Sequence, residues 1–200
     1  MLQILLLRTE NSMGLQLQLA GIPKWAASIY NPQQIKFYAE LTEIAYKALT
    51  LPSMTQFLNS LFQKLELVKA DARVCRLPPY SSQAKIRENQ GKVDLQMLFG
   101  TTNTKTGLIS LYPPLYWLDK SAEPDTKNLS VDEFLDFMLA SIMSLIHELL
   151  HRSGRVDESE VRELVPTYTR DFGEKYLLKF AEELRQIKPN WADLVDSDQR

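Results

Sequence analysis

Apolar side chains recur at helical spacing from Ile35 through Tyr38, Leu41, Ala45, Ala48 and Leu49, directly after an Asn31-Pro32 pair. Asn is a strong N-cap and Pro suits the first helical position, so a helix is predicted from Pro32 to about Thr50. Pro52 closes that element and opens a second helix, Ser53 to Val68, with Phe57, Leu58, Leu61, Phe62 and Leu65 as its stripe. Upstream, residues 2–8 and 14–20 are candidate strands, the second alternating Leu15, Leu17 and Leu19 with Gln16 and Gln18.

The middle third changes period. Ala72 to Leu77 alternates and stops at Pro78-Pro79, Val93, Leu95, Met97 and Phe99 alternate again, and Gly107 to Tyr112 is apolar up to Pro113-Pro114. The polar run Gly100 to Thr106 between the last two suits a hairpin link. These runs predict a small, mostly antiparallel sheet. After a polar loop at 121–128, Ser130 with Glu133 has the form of a capping box. From Phe134 to Leu150 apolar residues then cover nearly the whole helical circumference, so this helix belongs in the interior. Gly154 suits its C-terminal stop. A further helical pattern runs through Val161, Leu164 and Val165, is interrupted at Pro166, and resumes from Phe172 to Ile187, leaving 193–200 as a polar tail.

With 200 residues the chain is long enough for a single domain with its own core. The expected organisation is a helical part at about 30–70, a sheet at 72–113, and the central helix with its C-terminal helices at 130–188. A net charge of -2 gives no bulk attraction to nucleic acid or anionic membrane. The apolar start Met1 to Leu7 is cut off by Arg8 and Glu10 before reaching signal-peptide length, and the run Phe137 to Ile146 is about half a membrane span. A single cysteine, Cys75, cannot close an internal disulfide. The expected location is therefore the cytoplasm.

Chemistry enters at Ser144 to Asp157. Both histidines of the chain lie there, His147 and His151, and Glu148 follows the first, giving His-Glu-x-x-His on the interior helix. Two histidines placed at random would show this spacing with the glutamate roughly once in 1,400 chains, so the pattern carries weight. Positions i and i+4 share one helix face, which lets both imidazoles reach one zinc ion. Glu148, about 100° further round, is placed to exchange a proton with a water on that ion. Without a metal, the same histidines would simply favour the helix C-terminal dipole.

A catalytic zinc takes three protein ligands, and no histidine remains for the third. Cys75, isolated in a strand, reads as a small core residue, which leaves carboxylates. Asp157 is the first candidate, because Gly154 would let the chain turn back to the ion, and Glu160 is the second. Glu158 and Glu163 are further acidic residues of the following helix. Asp157 and Glu160 also form an Asp-x-x-Glu helix start that needs no metal.

His147-Glu148-x-x-His151-x-x-Gly154-x-x-Asp157 resembles the extended motif of the metzincin metallopeptidases, particularly those with aspartate as third ligand. The spacing is also similar to that of bacterial zinc enzymes implicated in ribosomal RNA maturation, which have glycine in place of Glu148. No methionine follows Met143, so the metzincin Met-turn is absent. A glutamate of the next helix as third ligand would instead resemble the gluzincin pattern, for which Glu158, Glu160 and Glu163 are available. The resemblance implies an α+β, zincin-like fold in which a small sheet packs on the buried active-site helix. It also implies a Zn2+ peptidase acting on a peptide or protein substrate, with Glu148 as general base. In such enzymes the strand before the active helix often binds extended peptide at a sheet edge, a place that would fall to Gly107 to Tyr112. Tyr112, Tyr116 and Tyr168 are candidate donors to a developing oxyanion. Two other functions remain open: a zincin-derived binding module that holds zinc without turnover, and a metal-dependent hydrolase of a non-peptide bond such as that of RNA. No basic cluster beside the motif favours the latter.

Overall fold

A computed structural model of the chain describes residues 14–78, 100–113 and 131–187. In chain order these form β1 (Gly14–Leu19), a 3-10 turn (Ala26–Ser28), α1 (Pro32–Leu49), α2 (Pro52–Lys64), β2 (Lys69–Val74), β3 (Gly100–Thr102), β4 (Ile109–Leu111), α3 (Val131–Arg152), α4 (Glu158–Lys175) and α5 (Leu177–Ile187). The architecture is mixed α/β.

The four strands lie in the order β1-β2-β4-β3. Both β1 and β4 run parallel to β2, and among the described residues only β3 pairs antiparallel, with β4. This corrects the expectation of a mostly antiparallel sheet. Alternation reports which face of a strand is buried but carries no information on strand direction, and the parallel pairing of β1 with β2 spans two helices. β1 occupies the candidate strand at 14–20 and joins the sheet, ahead of the helices α1 and α2.

Register places Leu15, Leu17, Leu19, Ala70, Ala72, Val74, Ile109 and Leu111 on one face, with Gly100 and Thr102 continuing it on β3. α1 and α2 pack toward the β1–β2 end and α3 toward β3 and β4. The other face of β1 and β2 carries Gln16, Gln18, Lys69, Asp71 and Arg73, all exposed. α3 is long and apolar enough to cross a membrane by length and composition, but 56% of its apolar stretch Phe134–Arg152 is buried within the domain. That burial is what a core helix requires.

Several local signals resolve as residue chemistry dictates. Asn31 Oδ1 accepts the Gln34 N–H and Gln34 Oε1 accepts the Asn31 N–H, a capping box that starts α1. α2 ends at Lys64, earlier than its stripe suggested, and Glu66 takes φ +54 before β2 begins at Lys69. Pro166 does not break the final helical region. It lies inside α4, and the division falls at Tyr176. The predicted strands at 2–8 and 93–99, the Ser130 cap and the tail at 193–200 lie outside the described residues.

One tie across the fold has no local precursor. Leu51 offers α2 no side-chain cap. Instead Glu183 of α5 accepts from Ser53 N at 3.0 Å and Ser53 Oγ at 2.6 Å, placing a carboxylate on the positive end of α2. Beside it Phe172 meets Phe57 at 5.1 Å and Phe180 at 5.6 Å between ring centroids, joining α2, α4 and α5. Glu183→Ala is expected to lower stability by about 1–2 kcal/mol, because it strips the cap and leaves the buried Ser53 unpaired. Urea unfolding at neutral pH measures that loss.

Candidate metal centre

His147 and His151 sit in the last turns of α3, and the way α3 stops decides what meets them. Gly154 takes φ +95, a conformation costly for any residue with a Cβ. Its N–H donates to His151 O at 3.1 Å, and Arg155 N–H points back to Leu150 O at 3.4 Å. This pair of bonds is a Schellman motif, which satisfies the carbonyls at the helix end and reverses the chain. α4 then starts at Glu158 and packs alongside α3.

The reversal returns Glu158 to the histidines. Nε2 of His147 and Nε2 of His151 lie 3.1 Å apart, His151 Nε2 is 3.2 Å from Glu158 Oε2, and His147 Nε2 is 3.5 Å from Glu158 Oε1. Ligands at 2.0–2.1 Å from a tetrahedral zinc are separated by about 3.3–3.4 Å, so spacings of this size suit one such ion, with the two histidines approaching different oxygens of the carboxylate. His151 Nδ1 lies 2.8 Å from the Arg155 carbonyl oxygen, which can only accept. In the neutral ring Nδ1 therefore carries the hydrogen and Nε2 presents its lone pair to the other two groups, the outer support common to metal-binding histidines. Burial pushes the Glu158 carboxyl up, but the Arg162 guanidinium at 3.0 Å and the two imidazoles outweigh it and hold the group below the usual glutamate value.

The two carboxylates ranked first from sequence are placed elsewhere. Asp157 is the N-cap of α4: its Oδ1 accepts from Ser159 N at 2.8 Å and Glu160 N at 3.0 Å. Those bonds, with that of the Ser159 hydroxyl, hold its carboxyl below the usual aspartate value. Glu160 faces Arg155, at 3.4 Å. Among the described residues the group able to hold a metal is His147, His151 and Glu158. Cys75 is not part of it, and burial pushes its thiol up among Arg73, Ser110 and Tyr112. Neither Tyr112 nor Tyr168 lines the cleft containing the triad, and Tyr116 lies outside the described residues.

Glu148 faces the sheet side of that cleft and is 7% exposed. The Thr102 hydroxyl donates to its Oε2. Gly100, two residues back on the same strand face, lets β3 approach α3 closely. A Cβ there would stand 3.3 Å from Ser144 Cβ and 3.5 Å from Glu148 Oε1. Sequence reading placed both residues in a hairpin link, whereas they form β3 and the turn begins at Asn103, whose Oδ1 accepts from Lys105 N and Thr106 N. β4, within the predicted strand Gly107 to Tyr112, lies inside the sheet between β2 and β3, so among the described residues the strand at the cleft edge is β3.

The cleft measures about 1010 Å³ and is bounded by β3 and its turn, by α3 and by α4. It brings three potential ligands, a buried carboxylate and a sheet edge into one space. No family model, curated protein or solved structure matches the chain. The residues themselves therefore carry the functional reading.

Thr102→Val keeps the shape of the side chain and removes the donor to a buried carboxylate. It is expected to cost about 1–3 kcal/mol, with Thr102→Ser retaining most of the stability. Denaturant titration of the two variants gives the comparison.

Proposed function

We propose that the protein is a zinc-dependent peptidase of zincin type, with His147, His151 and Glu158 as ligands and Glu148 as general base and acid. The observation that carries this reading is the convergence of the two histidine Nε2 atoms, 3.1 Å apart, on the Glu158 carboxylate, whose Oε2 lies 3.2 Å from His151 and whose Oε1 lies 3.5 Å from His147, next to a glutamate one residue after the first histidine. A bound zinc ion would supply Lewis-acid chemistry, polarising a substrate carbonyl and acidifying a water. Three protein ligands leave a coordination position open, as catalysis demands.

The chain's own groups divide the remaining work. Glu148 takes the proton of the attacking water as the carbon–oxygen bond forms, and delivers it to the amide nitrogen as the carbon–nitrogen bond breaks. The Thr102 bond to Oε2 fixes the carboxylate while Oε1 stays beside the glycine on β3. β3 offers an extended backbone along which a peptide can add as a further strand. A third ligand at the start of the following helix is similar to the gluzincin pattern, and a mixed sheet above a motif-bearing core helix is similar to zincins in general. A closed, non-catalytic zinc site would call for a fourth protein ligand, and the described residues supply three.

Glu148→Gln is expected to reduce zinc-dependent peptide hydrolysis by a factor of 10² or more while leaving one zinc per chain. Glu158→Ala is expected to weaken zinc binding by about 10-fold or more, whereas Glu160→Gln leaves it unchanged. Metal analysis after dialysis and turnover of a peptide library read both. A wild-type protein without stoichiometric zinc would end the proposal.

A further inference from the structure

The two ends of the cleft differ in chemistry. Toward the start of α3 it is walled by Ala140 and Met143, with Val165 and Pro166 of α4 opposite. Met143 is 40% exposed there, a large apolar side chain left facing water in a helix that is otherwise a core element. Toward the end of α3 the wall is cationic, with Arg152 and Arg155. Arg155 faces Glu160, and Arg162 is engaged by Glu158. Arg152 differs, because among the described residues it has no carboxylate partner. Its guanidinium lies against the hairpin at Gly107, where a Cβ would stand 2.2 Å from Nη1, and the side chain remains exposed.

From the peptidase reading, on which this inference rests, we infer that the preferred substrate is a peptide with an acidic side chain on the N-terminal side of the scissile bond and an apolar one on the C-terminal side. Length fits: Ala140 to Arg152 spans about 18 Å at 1.5 Å per residue, the reach of five or six extended residues. Direction follows from β3. Gly100 lies by Ser144 while Gly107 lies by Arg152, so the hairpin leads from the apolar end toward the cationic end. The more stable antiparallel addition to β3 then runs a peptide from Arg152 to Met143. Its acidic residue meets the unpaired guanidinium before the metal ligands, and its apolar residue meets the Met143–Pro166 wall after them. A nucleic acid would find phosphate partners in the same arginines, but among the described residues no Phe, Tyr or Trp lines the cleft for a base to stack on, and the apolar wall offers it nothing.

The test uses the full-length Glu148→Gln protein loaded with zinc and fluorescent hexapeptides that differ only in the N-terminal-side residue, Glu, Gln or Lys, with Leu on the other side. Anisotropy should rank Glu tightest, at least 10-fold tighter than Lys. In Arg152→Glu the order should reverse, and in Arg152→Gln the difference should shrink to about 2-fold, circular dichroism confirming that both variants fold. An unchanged ranking in folded Arg152→Glu overturns the inference, as does a single-stranded RNA hexamer that binds more tightly than every peptide. Zinc content and turnover of the unmodified protein, measured in parallel, show separately whether the peptidase reading stands. Zinc binding and cleavage without selectivity would reject the inference alone.

Discussion

The reversal at Gly154 is the constraint on which the centre depends. α3 delivers two histidines to one face, but a third group must come from chain that has already left the helix. A Schellman stop achieves this in few residues, because it satisfies the terminal carbonyls through Gly154 and Arg155 and turns the chain at the same time. The Arg155 carbonyl, brought into place by that turn, accepts from His151 and fixes its tautomer. One glycine with φ +95 thus sets helix length, ring orientation and the position of Glu158.

A second constraint comes from the sheet. Burying a carboxylate is costly unless hydrogen bonds replace its water, and Glu148 is buried. β3 meets that requirement with Thr102 and makes room for it with Gly100, both on the face that continues the hydrophobic surface of the sheet. The short antiparallel strand therefore does two things at once. It closes the sheet over α3 and holds the Glu148 carboxylate in place.

Legibility in the sequence followed the range of the interactions. α1 was readable because Asn31, Pro32 and Gln34 are neighbours, and α3 because its apolar residues surround the helix. The motif was readable because i and i+4 contacts are local. The parallel direction of β1 and β4 was not readable, since strand periodicity is the same in either direction. Nor was the Glu183 cap on α2, supplied by a residue 130 positions away. Thr102 was hidden for a related reason: a Gly-Thr-Thr-Asn run is polar enough to pass for a turn, and only pairing with β4 makes its first three residues a strand.

The third ligand shows how a single residue's offset divides capping from ligation. Asp157 and Glu158 are adjacent, and the sequence favours the first because Gly154 allows a glycine-assisted return to a metal, with a carboxylate of the next helix and a metal-free cap as the alternatives. A short side chain at the N-cap, however, has a nearer set of partners in the free N–H groups of Ser159 and Glu160, and it takes them. Once Asp157 has fixed the start of α4, the next residue is the first of the helix, and its longer side chain is free of the cap. The N-cap and the candidate ligand are therefore not competing explanations of one acidic residue. Capping by Asp157 starts the helix whose first residue, Glu158, meets His147 and His151, so the cap of one carboxylate positions the other within the group able to hold a metal.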